Sequence, residues 1–296
     1  MTTNPDFYSS LSAELARRSS RAVISYLNPL SPGLRSFLTQ HLERPPGADG
    51  SFLADPVFEA TFGWREHPER MSALAGPLLH PSLVDAMDRA TSERFGSNFH
   101  PYIHQVEAWK ALQKEPAQSV VVSSGTGSGK TECFLVPILD SLARQRAANK
   151  SLVGVQALFL YPLNALINSQ RDRLRSWTDA FGGDIKFCLY NGQTPKVDPP
   201  ITEARMVPQE VMGRPGLRRS PPPILITNAT MLEYMLVRQD DAPILEASKG
   251  KLRWIVLDEA HTYIGSQAAE VSLLLRRVLH AFEVEPEQVR FVATSA

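Results

Sequence analysis

Val120-Val121-Val122-Ser123-Ser124-Gly125-Thr126-Gly127-Ser128-Gly129-Lys130-Thr131 is the stretch that decides the fold. Three consecutive valines predict a strand buried on both faces. Glycines at alternate positions let backbone N–H groups curl around a phosphate without side-chain clash. A helical pattern follows over Thr131–Ala148, with its positive N-terminus toward the anion. Strand, glycine loop and helix in that order are the context a phosphate loop requires. Lys130 would then neutralise charge on the β- and γ-phosphates, and the Thr131 hydroxyl would ligate Mg²⁺. Ser124 stands where the strict pattern has glycine. A merely flexible glycine loop is the bland alternative, and the flanking elements weigh against it.

Outward from this loop the same rhythm repeats. Apolar runs occur at Ser119–Ser123, Ala157–Tyr161, Ile185–Tyr190, Ile224–Thr227, Trp254–Asp258 and Arg290–Thr294. Helical patterns at Thr131–Ala148, Ala165–Ala180, Ala229–Arg238 and Gln267–Phe282 separate most of them. Strands alternating with helices predict an α/β fold with a doubly wound, mostly parallel sheet over residues 96–296. Residues 1–95 read as a mainly helical N-terminal region. There Phe7, Leu11, Leu15 and Ala16 form an apolar stripe, and Asp55-Pro56 opens a short helix with Val57, Phe58 and Phe62. Arg17, Arg18 and Arg21 read as a solvated face. Asn191–Pro223 breaks the rhythm: it holds eight of the 23 prolines along with Lys196, Arg205, Arg214, Arg218 and Arg219. It reads as a long surface insertion, either a DNA-backbone contact or a solvated loop.

Composition narrows the function classes. The 31 Lys+Arg balance 31 Asp+Glu across 296 residues, which excludes a histone-like basic binder and leaves only local nucleic-acid patches. Two cysteines, Cys133 and Cys188, exclude a disulfide scaffold and a multi-cysteine zinc module. Both read as packed residues. The N-terminus lacks an apolar core of the signal-peptide kind, and the apolar stretch Leu152–Ile167 is broken by Gln156, Pro162 and Asn164. No membrane association and a cytoplasmic location are the expectation. Asn149-Lys150-Ser151 and Asn228-Ala229-Thr230 match glycosylation sequons only by chance.

Trp254-Ile255-Val256-Leu257 runs straight into Asp258-Glu259-Ala260-His261. An apolar strand delivering acids at its carboxyl end is where open α/β sheets place their ligand chemistry. Asp258 would hold Mg²⁺ through water, and Glu259 would polarise an attacking water as general base. A strand-end acidic turn without catalytic work is the alternative.

With these two motifs the chain resembles superfamily 2 helicases of the DExH (DEAH-box) type, in their first RecA-like domain. Ser124–Thr131, with Ser124, Gly125, Thr126, Gly127, Ser128 and Gly129 around the phosphates, resembles helicase motif I, in which Ala or Ser normally replaces the first glycine. Asp258–His261 resembles motif II and Thr294-Ser295-Ala296 motif III, which couples the ATP state to the nucleic-acid site, with His261 bonding toward Thr294 and Ser295. Tyr161-Pro162-Leu163-Asn164-Ala165-Leu166 looks like motif Ia, and Thr227-Asn228-Ala229-Thr230-Met231-Leu232 like motif Ib. Tyr190-Asn191-Gly192-Gln193-Thr194 lies where the family has a glycine turn. The resemblance thus implies nucleic-acid contacts at Pro162, Asn164, Gly192, Thr227 and Asn228. It also implies that Gln105, in His100-Pro101-Tyr102-Ile103-His104-Gln105, reads adenine. Motif Ia and the Asn-Gly-Gln-Thr element look like those of DNA helicases of the YprA and Lhr kind, and the wording also resembles the large helicases of bacterial anti-phage systems such as Druantia.

The resemblance implies a motor with ATP and Mg²⁺ as cofactors and DNA as partner. Helicases of this kind hold ATP between two RecA-like domains, and the second supplies motifs IV to VI with an arginine that completes the site. The chain stops at Ala296, so the expectation is an N-terminal part of such a motor, nearly inactive for hydrolysis without a second domain in cis or in trans. An RNA helicase domain and a nucleotide-binding regulatory module without motor activity are the alternatives. His100 and His104 stand at i, i+4, a metal-binding spacing on a helix, but Pro101 lies between them and no carboxylate pair is near. Tyr102 is a candidate for stacking on adenine or for plain packing.

Overall fold

The computed structural model describes residues 5–55, 57, 63–89, 95–125 and 127–295. The chain divides into two compact units, residues 1–63 and 64–296.

The first unit holds α1 (Pro5–Leu27) and α2 (Pro32–Leu42). Pro32 stands at the first turn of α2, and Ser31 caps it by accepting from Leu34 N at 3.5 Å. Leu11 and Leu15 are exposed, 43% and 54%, contrary to the expected stripe. The buried line is Ala16, Ser20 and Ile24, at strict i, i+4 spacing. Its small residues bring α1 against the end of α2, where Ser20 Oγ lies 2.6 Å from Leu42 O. Arg17 and Arg18 both pair with Glu14 on their own helix. The short helix expected at Pro56, Phe58 and Phe62 falls outside the described residues, as does the Phe7 side chain.

The second unit is built on six parallel strands: β1 (Val120–Ser123), β2 (Ala157–Leu160), β3 (Phe187–Leu189), β4 (Ile224–Thr227), β5 (Trp254–Leu257) and β6 (Arg290–Ser295). Their order is β1-β6-β5-β2-β4-β3, with every neighbouring pair parallel. The period-2 side-chain alternation sends Phe159 into one core layer and Leu158 and Leu160 into the other. On the first face pack α4 (Pro81–Arg89), α5 (Ile103–Leu112), α6 (Lys130–Ala147) and α7 (Asn164–Asp179), with the one-turn α3 (Met71–Leu74) beside them. On the second pack α10 (Ala229–Val237), α11 (Ala242–Ser248) and α12 (Ser266–Ala281). The sheet is doubly wound, as expected.

Three expectations change. Val121 is 75% exposed: β1 is an edge strand, and none of its residues belongs to the second core layer. Residues 64–89, grouped by sequence with the N-terminal helices, pack with the sheet: Met71, Leu74, Leu83 and Met87 belong to the first core layer. The proline-rich insertion is solvated only in its first half: residues 195–206 are mostly exposed, and the rest folds against the unit. It carries α8 (Ile201–Met206) and α9 (Arg214–Arg219), and buries Gln209, Glu210 and Leu217. Three of its four arginines bond within the protein, and Arg205 is exposed. Arg218 pairs with buried Asp241 at 2.9 Å, Arg219 with Asp198 at 2.7 Å, and Arg214 Nε donates to Thr194 O at 3.1 Å. Tyr190 OH donates to the other oxygen of Asp241 at 2.6 Å.

Candidate nucleotide site and nucleic-acid face

The carboxyl ends of β1, β2, β4, β5 and β6 lie along one edge of the sheet, so five loops converge there. Gly127 and Gly129 have φ of 79° and 76°, a region open to glycine and costly to other residues. A Cβ at Gly129 would also sit 2.3 Å from Gln105 Nε2. Ser124 Oγ and Ser128 Oγ lie 2.6 Å apart and brace the loop from inside. His104 Nε2 meets Ser128 O at 2.9 Å and holds it from outside. Lys130 Nζ donates to Ser124 O at 2.7 Å, folded over its own loop. Gly129 caps α6 without a side-chain hydrogen bond, leaving the first-turn N–H groups of an 18-residue helix for an anion. Thr126 lies outside the described residues.

Two strands away, β5 delivers Asp258. Thr294 Oγ1 on β6 donates to Asp258 Oδ1 and accepts from Glu259 N at 3.2 Å. One hydroxyl therefore joins the end of β6 to both acids. Tyr161 is fully buried beside them, and burial together with the charge of Asp258 pushes its hydroxyl well above the ordinary tyrosine range. The hydroxyl therefore stays protonated beside Asp258. Glu259 adopts the left-handed conformation at φ 52°, opening a 3-10 turn over Ala260–Thr262. His261 Nδ1 lies 3.4 Å from both Glu259 Oε2 and Ser295 Oγ.

A cavity of about 510 Å³ is lined by Gly127–Glu132, Glu259, Gln105, Tyr102, Phe95, Phe99 and Arg173. It brings the phosphate loop, the expected base and the expected adenine reader to one place. The residues fit a nucleotide: a Cβ on the last glycine of the loop would crowd the cradle, and a buried Glu132 oxygen lacks a partner among the described residues. Gln105 is buried, with Oε1 accepting from Tyr102 N at 2.8 Å and Nε2 donating to Gly129 O at 3.2 Å. Its amide thus already holds the loop. Glu132 and Arg173 were not legible as cavity residues, because their side-chain directions depend on how α6 and α7 pack. The His100 and His104 rings contact His67 O and Ser128 O.

A second cavity, about 870 Å³, is lined by Pro162, Asn164, Asn228, Glu233, Glu259, His261 and Gln267 among others. Asn228 Oδ1 caps α10 by accepting from Met231 N at 2.8 Å, and its amide nitrogen donates to Asn164 Oδ1 at 2.8 Å. Three of the five expected nucleic-acid residues meet here, and Glu259 touches both cavities. Thr227 is 1% exposed inside the sheet edge, so its side chain does not reach this cavity. Gly192 is exposed but lies outside the lining.

Residues 102–296 match the family described as DEAD/DEAH box helicase. The chain belongs to that family. This DEAD/DEAH box helicase chain is similar to Druantia protein DruE of Escherichia coli (strain UMEA 4076-1), 30% identical over 291 residues covering 66% of this chain and 16% of that protein. It is also similar to the uncharacterized ATP-dependent helicase YprA of Bacillus subtilis (strain 168), 30% identical over 241 residues, 80% of this chain and 28% of YprA. The chain thus spans less than a third of the length of either relative. Among solved structures it is similar to the DUF1998 helicase MrfA bound to DNA and AMPPNP, with a TM-score of 0.56 and 26% identity over 79% of this chain and 28% of that one. Among the described residues of this helicase chain, no helix is long and apolar enough to cross a membrane.

Proposed function

We propose that the chain is the ATP-binding part of an ATP-dependent DNA helicase or translocase, working in the cytoplasm. The observation that carries this reading is the double placement of Glu259, which lines the phosphate-loop cavity and the cavity of Asn164 and Asn228. A base shared by both cavities is what coupling of hydrolysis to movement requires.

In this reading the loop amides of Ser124–Gly129 bind the phosphates, and Lys130 leaves Ser124 O to pair with them. Thr131 and Asp258 would hold Mg²⁺, which would supply neutralisation of phosphate charge. Thr294 keeps Asp258 oriented by donating to Oδ1, with the protonated Tyr161 hydroxyl beside it. Glu259 accepts the proton of the attacking water. His261, Thr294 and Ser295 carry the state of the acids along the end of β6. Pro162, Asn164 and Asn228, with the backbone near Gly192 and Thr227, contact the strand's phosphates, so recognition is sequence-tolerant. A second RecA-like domain, in cis or in trans, would close over the cavity and supply an arginine.

MrfA's DNA-bound structure favours DNA over RNA, and the likeness to Druantia protein DruE supports a place among anti-phage defence helicases. The test is binding of a labelled single strand with and without ATP·Mg²⁺. ATP should change DNA affinity in the wild type and leave it unchanged in Lys130→Ala. Tighter binding to RNA of the same sequence would move the assignment to RNA helicases. Affinity indifferent to ATP in the wild type would refute coupling.

A further inference from the structure

Glu132 lines the nucleotide cavity, yet the proposed function gives it no task. It follows Thr131 in the first turn of α6, is 6% exposed, and stands beside Tyr102, Gln105 and Gly129. Its backbone is satisfied: the carbonyl accepts from Trp109 Nε1 at 2.9 Å. Its side-chain Oε2 is buried with no hydrogen-bond partner among the described residues. A buried carboxylate oxygen without a donor is costly, and proteins keep such groups where a ligand completes them. Neither cation of the cavity bonds that oxygen, and Lys130 Nζ donates to Ser124 O instead. Nor does Gln105, whose amide is held by Tyr102 N and Gly129 O. Both side chains crowd the last glycine of the loop: a Cβ there would lie 2.3 Å from Gln105 Nε2 and 3.1 Å from Glu132 Oε2.

We propose that Glu132 selects the base, its carboxylate accepting a hydrogen bond from the 6-amino group of adenine. This rests on the nucleotide reading above. The base is favoured over the ribose because Phe95, Phe99 and Tyr102 line the same cavity, offering ring surface to a planar heterocycle. Guanine carries a carbonyl oxygen at the corresponding position and would set acceptor against acceptor. Discrimination then has an attractive and a repulsive part. Gln105, bonded to Tyr102 N and Gly129 O, stands beside Glu132 in the same cavity.

The experiment titrates the full chain with ATP, GTP and 2′- and 3′-deoxy-ATP, each with Mg²⁺, by calorimetry or competition with a fluorescent nucleotide. Wild type should prefer ATP over GTP by about tenfold or more, as for a hydrogen bond to a charged group. In Glu132→Ala and Glu132→Gln that preference should shrink to within about threefold, chiefly through weaker ATP binding. Neither variant should melt earlier than wild type, because the oxygen in question has no protein partner; this separates base reading from a structural role. An unchanged ATP/GTP ratio in both variants, or equal weakening of both nucleotides, overturns the proposal. So does a wild type that discriminates against deoxy sugars through Glu132, which would assign the carboxylate to the ribose. Binding that is absent in wild type, or the same in Lys130→Ala, overturns the nucleotide reading itself and this proposal with it.

Discussion

Asn228 Nδ2 donates to Asn164 Oδ1 at 2.8 Å, joining the residue after β4 to the first residue of α7. The two asparagines differ in what else they hold. Asn228 also caps α10, while no side-chain bond caps the start of α7. Asn228→Ala should therefore cost about 1 kcal/mol, a fall of roughly 2–4 °C in melting temperature. Asn164→Ala should leave the melting temperature within about 1 °C. If both contact a nucleic-acid strand, both variants should weaken oligonucleotide binding despite this difference. Thermal melting and anisotropy on the same preparations check it.

ATP·Mg²⁺ should stabilise the chain through a loop local to this unit. At about 100 times its Kd the ligand adds about 2.7 kcal/mol, a rise of roughly 5–10 °C in melting temperature. Lys130→Ala should lose most of that shift, while its melting temperature without nucleotide stays near the wild-type value. A full shift in the variant would remove Lys130 from the site.

The arginines of the insertion should matter to stability and not to DNA. Arg218→Ala leaves the fully buried Asp241 with Tyr190 alone and should cost about 3 kcal/mol in urea unfolding. Asp241→Asn in the same chain should recover part of the loss. Arg219→Ala breaks a mostly exposed pair and should cost well under about 1 kcal/mol. Each phosphate contact contributes about −0.7 to the log–log salt slope for a single strand. Since both side chains are engaged within the protein, that slope should not change in either variant.

The thiols should be silent in the native state. Burial, followed by the charge of Glu132, pushes Cys133 up to about 12, and burial raises Cys188 as well. Neither should react with a disulfide reagent at about pH 8 until the chain is unfolded. The sign for stability follows. Both folded values lie above the ordinary thiol value of 9.0, so the unfolded chain loses its thiol protons first. This contribution is fully present below pH 9 and declines as pH rises toward 12. Denaturant midpoints at about pH 8, 9.5 and 10.5 should fall in that order, and less so in Cys133→Ala.

Much of the fold is legible from periodicity and punctuation. The glycine loop, the strand running into Asp258 and the alternating helices place the sheet edge where the loops converge. What periodicity cannot convey is which face a neighbour covers. Val120-Val121-Val122 reads like a central strand, yet β1 is an edge and Val121 faces out. Leu11 and Leu15 repeat correctly for a helix, but the packed line is the smaller Ala16–Ser20–Ile24. Charge runs mislead for the same reason. Arg214, Arg218 and Arg219 look solvated until Asp241, Asp198 and the carbonyl of Thr194 are brought beside them by folding. At the candidate site the loop and acids were readable as local motifs. Tyr161, Glu132 and Arg173 were not, because their roles come from contacts between elements far apart in sequence.

Glu259 occupies a backbone conformation that suits glycine, at φ 52°. A non-glycine residue held there costs of order 1 kcal/mol or more. A chain optimised only for heat resistance would favour Glu259→Gly or Glu259→Asn at this turn. With Glu259 as the proposed base, selection for turnover and selection for durability would pull this position in opposite directions. Directed evolution run on thermal survival alone should erode the acidic turn here before it touches the surrounding core.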